Sequence, residues 1–464
     1  MHLKSFRLKN FKKFKDININ LNKKIIILVG PNSVGKTSII KAILALKQTF
    51  SLENDGEHFL SRGSLVELGS YHDFAFNHKT DNNVEFSGEI DFDENDSIEG
   101  VDVVIDRLSF TIEYCFNEET DQSILNNISF AIFSKGKKST VNIYRKNLQK
   151  QDILNVSYFI DLNNIDEISE NSLVIKALET FRTKNISNKK TSYKITKNFK
   201  FESTSHQTSP DSLIYSKILS ILLDGLFSSI GTALNKNFSY IGPIRNKPER
   251  FSIKRANSNY VGAAGEHTPS VLTNLNSQHR FRSIFQKINS DFKKLFGKSL
   301  IINTSNEITR IRIATESSEH TDSINDVGFG ISQILPIITQ ANLLEQNQVL
   351  ILEQPELHLH PETQTKLSEI LINDLSINRK FIIETHSEHL IRGLQLAVHS
   401  GKIKNDDISI IYIKKNSEEN SIYSLLKLNE NGDLADKWPA GFFDQAYQFT
   451  LKMLGGSREN SLPR

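Results

Sequence analysis

Residues 30–38 read Gly-Pro-Asn-Ser-Val-Gly-Lys-Thr-Ser, and the chain on either side restricts what this segment can fold into. Lys24-Ile-Ile-Ile-Leu-Val29 precedes it, a continuous apolar run of the length of a strand buried on both faces. Thr37 to Thr49 follows, with Ile39, Ile40, Ile43, Leu44 and Leu46 at helical spacing. Strand, glycine loop and helix, in that order, are the context in which G-x-x-x-x-G-K-[ST] closes around phosphate. The glycines let backbone N–H groups crowd the anion at a helix N-terminus. Lys36 is expected at the β- and γ-phosphates, and the Thr37 hydroxyl is expected to ligate Mg²⁺. The expected nucleotide contacts are therefore Gly30, Pro31, Asn32, Ser33, Val34, Gly35, Lys36, Thr37 and Ser38.

The acidic partner of this loop comes more than three hundred residues later. Val349-Leu-Ile-Leu-Glu353 is an apolar strand ending in a carboxylate, placed to hold Mg²⁺ through water. Gln354-Pro-Glu356 then breaks the chain, and a helix is expected near Glu362. His358 and His360 lack a further set of ligands at metal spacing, so a loop that shapes a subunit interface is the expected role. Lys380-Phe-Ile-Ile-Glu-Thr-His-Ser repeats the plan, with His386 placed to touch a γ-phosphate or the attacking water. Asp326-Val-Gly-Phe-Gly-Ile-Ser-Gln supplies Gly328, Gly330, Ser332 and Gln333 just ahead of a helix, a second anion-suited N-terminus. Its place before the acid strand makes it a candidate to close the site of a second subunit.

Between these halves the pattern changes. Val84 to Phe92 and Leu108 to Phe116 alternate with period two, as in an antiparallel meander, which 128–144 and 156–162 can extend. Residues 163–209 are polar and rich in Lys, Asn and Ser. Ser212 to Leu234 reads as an amphipathic helix, 271–296 as another broken around Asn274–Gln278, and 300–314 as a hairpin. Three regions are expected: 1–80 with the phosphate loop, an inserted β-rich and helical subdomain at 81–237, and 238–464 with the later motifs.

Bulk properties exclude several classes. A single cysteine, Cys115, rules out an intrachain disulfide and fits a reducing cytoplasm. The N-terminus lacks an apolar secretory core, and no stretch is expected to reach the ~18 apolar residues of a membrane helix. Net charge is +2, yet residues 131–200 carry 14 Lys/Arg against 6 Asp/Glu. Such a segment can neutralise nucleic-acid phosphates, or can be a solvated face.

Taken in order, these elements resemble the ABC/SMC-like P-loop ATPases, in particular their RecF/OLD-type, AAA-like branch. Asn10-Phe-Lys-Lys-Phe14 is similar to that branch's opening, and Leu65–Phe74, Tyr240–Arg245, Val261–Glu266 and Trp438–Phe443 resemble a defence-associated bacterial subfamily. The resemblance covers roughly 1–80 and 238–450. It implies an α/β ABC-type ATPase head, with ATP and Mg²⁺ sandwiched between two copies in a homodimer or higher oligomer. It places Gly328–Gln333 at the signature, Glu353 at the Walker B acid and His386 at the switch histidine. The glutamine of the lobe boundary does not carry over: Gln48 ends the first helix, and Tyr71-His-Asp73 occupies the boundary.

Relatives often carry a second Glu where this chain has Gln354. A neutral amide can orient water without accepting its proton, so slow hydrolysis is expected, with Glu356 or His386 partly substituting. The implied function is a sensor or regulatory ATPase of an anti-phage defence complex with a separate effector. The chain offers no acid cluster for a metal nuclease after Phe443. The alternative is a RecF-like DNA-binding ATPase using residues 131–200.

Overall fold

The structure, a computed structural model, describes residues 1–51, 58–94, 96–98, 104–145, 158–163, 193–196, 200–203, 210–253, 259–305, 307–315, 320–372 and 378–435. Its strands are β1 (His2–Phe11), β2 (Phe14–Asn20), β3 (Ile25–Val29), β4 (Val84–Asp91), β5 (Arg107–Asn117), β6 (Gln122–Ser134), β7 (Lys137–Arg145), β8 (Tyr158–Asn163), β9 (Tyr193–Thr196), β10 (Lys200–Ser203), β11 (Phe238–Ile241), β12 (Ser252–Ile253), β13 (Lys298–Ser305), β14 (Ile308–Thr315), β15 (Thr321–Ser323), β16 (Val349–Glu353), β17 (Lys380–Glu384), β18 (Ile408–Lys415) and β19 (Ser421–Leu426). Its helices are α1 (Lys36–Thr49), α2 (Tyr71–Phe74), α3 (Pro210–Asn235), α4 (Thr268–Ser277), α5 (Arg282–Phe296), α6 (Phe329–Leu343), α7 (Pro361–Ile372) and α8 (Glu388–His399).

The nucleotide-type sheet has the order β11-β16-β17-β3-β18-β19, parallel except for the edge strand β19. All five residues of β3 are buried, because the strand feeds two cores. Ile26 and Leu28 join one core, and Ile25, Ile27 and Val29 join the other. That division explains the unbroken apolar run: period two is present, but both faces are covered.

The second sheet is antiparallel, in the order β10-β9-β8-β7-β6-β5-β4-β1-β2. Its strands alternate buried and half-buried residues, as at β4 and β5. The region expected as an insertion is continuous with the N-terminal hairpin here. β4 pairs along β1 from His2↔Asp91 to Lys9↔Glu85, and one apolar core runs from Phe6 and α1 through Phe86, Phe110 and Phe130 to α3. Among the described residues, no break in packing falls near residue 80 or residue 237.

α3 corrects the membrane expectation. Ser216–Asn235 is long and apolar enough, by composition, to cross a bilayer. Its apolar side is nevertheless spent on the sheet: Leu219, Leu222, Leu223, Leu226, Phe227 and Ile230 are all buried in the first core. The break expected around Asn274–Gln278 falls at Gln278, whose extended backbone separates α4 from the turn leading into α5. The expected hairpin is β13–β14, in register from Lys298↔Thr315 to Ser305↔Ile308. Most of 163–209 and all of Trp438–Phe443 lie outside the described residues.

Candidate functional site: a phosphate cleft between strand ends

The loop leaves β3 through Gly30, whose φ of +143° suits glycine, and a Cβ there would sit 2.1 Å from the Ile413 carbonyl oxygen. Val34 is buried, and its carbonyl accepts a 2.5 Å hydrogen bond from Ser421 on β19. The loop is thereby fastened to the far edge of the sheet. Lys36 folds back, donating to the carbonyls of Gly30 at 3.0 Å and Pro31 at 2.7 Å. Burial lowers its pKa, while Glu384 opposes that shift. A desolvated ammonium held over a cradle of loop backbone is suited to exchange those carbonyls for phosphate oxygens.

The strand order decides which acid reaches the loop. β17 lies between β3 and β16, so the end of β17 is the direct neighbour of the phosphate loop. Glu384 occupies that end and accepts a 2.9 Å hydrogen bond from the Thr37 hydroxyl. Glu353 pairs with Glu384 across the sheet, one strand further out. Its Oε1 accepts from the Tyr240 hydroxyl at 2.8 Å. Sequence reasoning gave the metal-side role to Thr37 and Glu353 and missed Glu384. The available signal was an acid closing the second apolar strand, Lys380–Glu384, as Glu353 closes the first.

Both carboxyls have raised pKa values. Burial pushes Glu353 up to about 7, the Tyr240 hydrogen bond opposes this, and the charge of Glu384 adds to it. Burial raises Glu384 as well, against the Thr37 hydrogen bond and Lys36. Two desolvated acids in register beside a phosphate loop form an oxygen donor set suited to a hard divalent cation. Among the described residues, no group of three or more His, Cys, Asp or Glu side chains forms a metal cage on its own.

The segment after β17 divides its labour. Thr385 Oγ1 accepts from the Ser387 N–H, and Ser387 Oγ caps α8 by accepting from the Leu390 N–H. His386 is left facing the cleft, its pKa lowered by burial and by Lys36, so it is neutral at pH 7. Glu356 is 9 % exposed, and its Oε1 accepts from the His386 N–H at 2.8 Å. Glu356 thus anchors the histidine loop. Arg245, absent from the expected site, donates from beneath to the carbonyls of Glu353 at 3.0 Å and Gln354 at 3.3 Å. Burial lowers it to about 10, and the charge of Glu356 opposes that.

The cleft above these strand ends has a volume of about 670 Å³. Asn32, Ser33, Gly35, Lys36, Thr37 and Ser38 line it with Gln354, Glu384 and His386. Lys12, Lys13, Asp73 and His78, none expected at the site, form its outer wall. Gln354 sits at a φ of 45°, a left-handed conformation that turns the chain at the strand end. Gly30, Pro31, Val34, Glu353 and Glu356 are not among the residues that line it.

Gly328, Gly330, Ser332 and Gln333 do not line this cleft either. Gly328 and Phe329 are exposed at the start of α6, while Ser332 and Gln333 are buried. Ser332 Oγ donates to the Phe329 carbonyl, and Phe329 packs edge-on against His358 at 4.9 Å. Gly330 lies so close to the His358 carbonyl that a Cβ would meet it at 2.3 Å. The His358 loop therefore carries the N-terminus of α6. Gln48 is bound elsewhere, its amide donating to the carbonyls of Leu60 and Val66.

A phosphate loop on a parallel sheet, with acids closing the adjacent strand β17 and the next one out, β16, defines a P-loop ATPase. The family described as AAA ATPase domain (AAA_15) matches residues 1–391, and the chain belongs to it. Residues 403–452 match a second family, described as a protein of unknown function (DUF3696). The chain is 39% identical over 72 residues to the DNA replication and repair protein RecF of Lactobacillus johnsonii, and 37% identical over 72 residues to that of Lactobacillus gasseri. Each match spans 15% of this chain and only 17% of the relative's length. Among solved structures, an SMC head bound to the C-winged helix domain of ScpA aligns over 92% of this chain and 99% of its own, at 13% identity and a TM-score of 0.44. The SMC head domain from Thermotoga maritima aligns over 92% and 100%, at 11% identity and a TM-score of 0.40.

Proposed function

We propose that this ATPase is a slow, nucleotide-gated switch in which two copies close around ATP. The observation that carries the reading is the pairing of Gln354 with two buried acids. The residue that follows the Glu353 strand end and lines the cleft is a neutral amide, and the acids beside it resist ionisation. Lys36, Thr37, Glu384 and, one strand further out, Glu353 are the residues that would hold ATP with Mg²⁺. The ion's part is to neutralise charge on the phosphates. Neutral His386 can hydrogen-bond a phosphate oxygen or a water, and Glu356 fixes its backbone. Gln354 can orient that water but cannot take its proton. The exposed start of α6 is free to meet a second copy, in keeping with an ATP-sandwiched homodimer.

Native mass spectrometry with ATP and Mg²⁺ tests the assembly. A dimer that forms with ATP, persists in Glu353→Gln and is lost in Lys36→Ala supports the reading. A monomer under all conditions overturns it. Turnover as fast as that of rapid ATPases, abolished by Gln354→Ala alone, would overturn the slow-switch element. Control of a separate effector in a defence complex is the role we assign to such a switch. It rests on the sequence resemblance, and co-purification of the chain with the product of an adjacent gene tests it.

The second reading is a DNA-binding ATPase. The local likeness to RecF favours it, together with Lys135, Lys137 and Lys138, all exposed at the tip joining β6 and β7. Residues 146–157 and most of 164–200 lie outside the described residues. DNA affinity that falls steeply with salt, and whose salt slope shrinks by about three on neutralising these lysines, supports this reading. Affinity indifferent to both changes removes it.

A further inference from the structure

The segment Tyr240–Arg245 was no part of the expected site, yet both of its polar side chains reach the end of β16. Tyr240 holds the Glu353 carboxyl. Arg245, just past β11, reaches the backbone instead.

The chain on either side fixes its place. The Gly242 N–H donates to the Ala263 carbonyl at 2.8 Å, and the Asn246 N–H donates to the Ala264 carbonyl at 2.9 Å. Arg245 is therefore clamped from both sides by Val261–Glu266. That stretch is itself held. The Glu266 carboxylate accepts from the Ala264 N–H, and a Cβ on Gly265 would meet the Pro336 ring of α6 at 2.4 Å. Two stretches to which the sequence assigned no role thus form one mount for a guanidinium.

That guanidinium is 4 % exposed. Its Nη2 donates to the carbonyls of Glu353 and Gln354, while Nε and Nη1 are buried with no hydrogen-bond partner among the described residues. A cation is costly to bury, and so are donors left unmade. A role in packing alone would be met better by an apolar side chain of similar length. Glu356 gives the charge a counterpart. It is buried too, its Oε2 has no partner among the described residues, and the two charges favour each other.

The backbone of Gln354 shows what the contact does. A residue with a side chain keeps a φ of 45° only where its surroundings hold it there. The Gln354 N–H donates to the Glu384 carbonyl at 2.8 Å, and its carbonyl accepts from the Leu357 N–H at 3.2 Å. Arg245 adds a tether from outside the strand ends, on the same carbonyl. Pinned at its N–H and its carbonyl, the residue lines the cleft.

We propose that Arg245 is a positioning residue for ATP hydrolysis: it holds the left-handed turn at Gln354 and so aims the amide that orients the attacking water. The assignment rests on the ATPase reading given above. Arg245 does not itself line the cleft, so its loss should act on turnover and spare nucleotide binding.

Single-turnover phosphate release, with isothermal titration of ADP and Mg²⁺, provides the test. Arg245→Lys keeps the charge but is shorter and lacks the planar fork, so it should lower the rate about tenfold. Arg245→Met, which also removes the donors, should lower it at least as much. ADP affinity should stay within about threefold in both, the split expected of an interaction that matters only in the transition state. In a Gln354→Ala background Arg245→Lys should cost less than about twofold, because the side chain it aims is gone. Rates within about twofold of the unaltered chain's for both substitutions overturn the assignment. So does a loss of ADP affinity equal to the loss of rate, or a rate loss undiminished by Gln354→Ala. Where Arg245→Met does not fold, Arg245→Lys decides alone. Turnover that survives Lys36→Ala would instead overturn the ATPase reading itself.

Discussion

The ends of β16 and β17 look alike in sequence and differ in the folded chain. Each is an apolar strand closed by Glu and followed by a polar residue, and Glu353 and Glu384 stand side by side in register. Yet Glu384 holds the Thr37 hydroxyl of the phosphate loop, while Glu353 holds the Tyr240 hydroxyl of β11. After Glu384 the chain uses its hydroxyls to cap α8 and presents His386. After Glu353 it turns through Gln354 with positive φ and buries Glu356 beneath that histidine. Equivalent local chemistry thus acquires separate tasks from strand order alone. One acid serves the loop, the other is tied to the rest of the sheet, and neither is followed by a carboxylate in the cleft.

The largest expected effect breaks this last feature. Gln354→Glu places a carboxylate where the cleft has an amide and should raise ATP turnover about 10²-fold, the lower end of what general-base catalysis contributes. Steady-state phosphate release measures it, and an unchanged rate would show that another group already takes the proton.

The next change separates the two acids. Glu384→Gln leaves Thr37 a neutral acceptor and should lower turnover by about 10–100-fold, with a weaker apparent affinity for Mg²⁺, as for partners that support metal ligands. A loss in Glu353→Gln without a matching loss in Glu384→Gln would return the metal role to Glu353 alone.

The smallest effect is on stability without nucleotide. Glu353 has a folded pKa of about 7, above the ordinary 4.5, so the native state binds this proton more tightly than the unfolded chain does. The stability from that proton is full below about pH 4.5 and is lost as pH rises through 7. Above pH 7 the buried charge costs on the order of 3 kcal/mol. Glu353→Gln should therefore raise the Tm at pH 8 by several degrees and leave it nearly unchanged at pH 5, as read by thermal denaturation. An equal shift at both pH values would show that the carboxyl is not strained by burial.

Much of this arrangement was legible in advance. The run before Gly30 announced a strand covered on both faces, and the alternation at 84–116 announced the antiparallel sheet. Lys36, Thr37 and His386 were placed by the strand–loop pattern around them and Gln354 by the family resemblance, and all four line the cleft. Glu384 was not legible, because strand order, which makes β17 the neighbour of the phosphate loop, cannot be read along the chain. Arg245 and Tyr240 lay in a motif with no assigned role, more than a hundred residues from the acids they serve. The boundary at residue 80 was suggested by a change of period, yet β4 pairs along β1, so the change marks further strands of the same sheet over one core.

The amino-acid sequence by itself determined the phosphate loop, the two acid-ended strands and the family of folds able to hold them, because periodicity and glycine placement are local properties. Only the tertiary structure decided which acid meets Thr37 and which one sinks behind Tyr240. Those outcomes depend on β17 inserting between β3 and β16. Lateral order in a sheet is set by the packing of side chains far apart along the chain, and no local pattern encodes it.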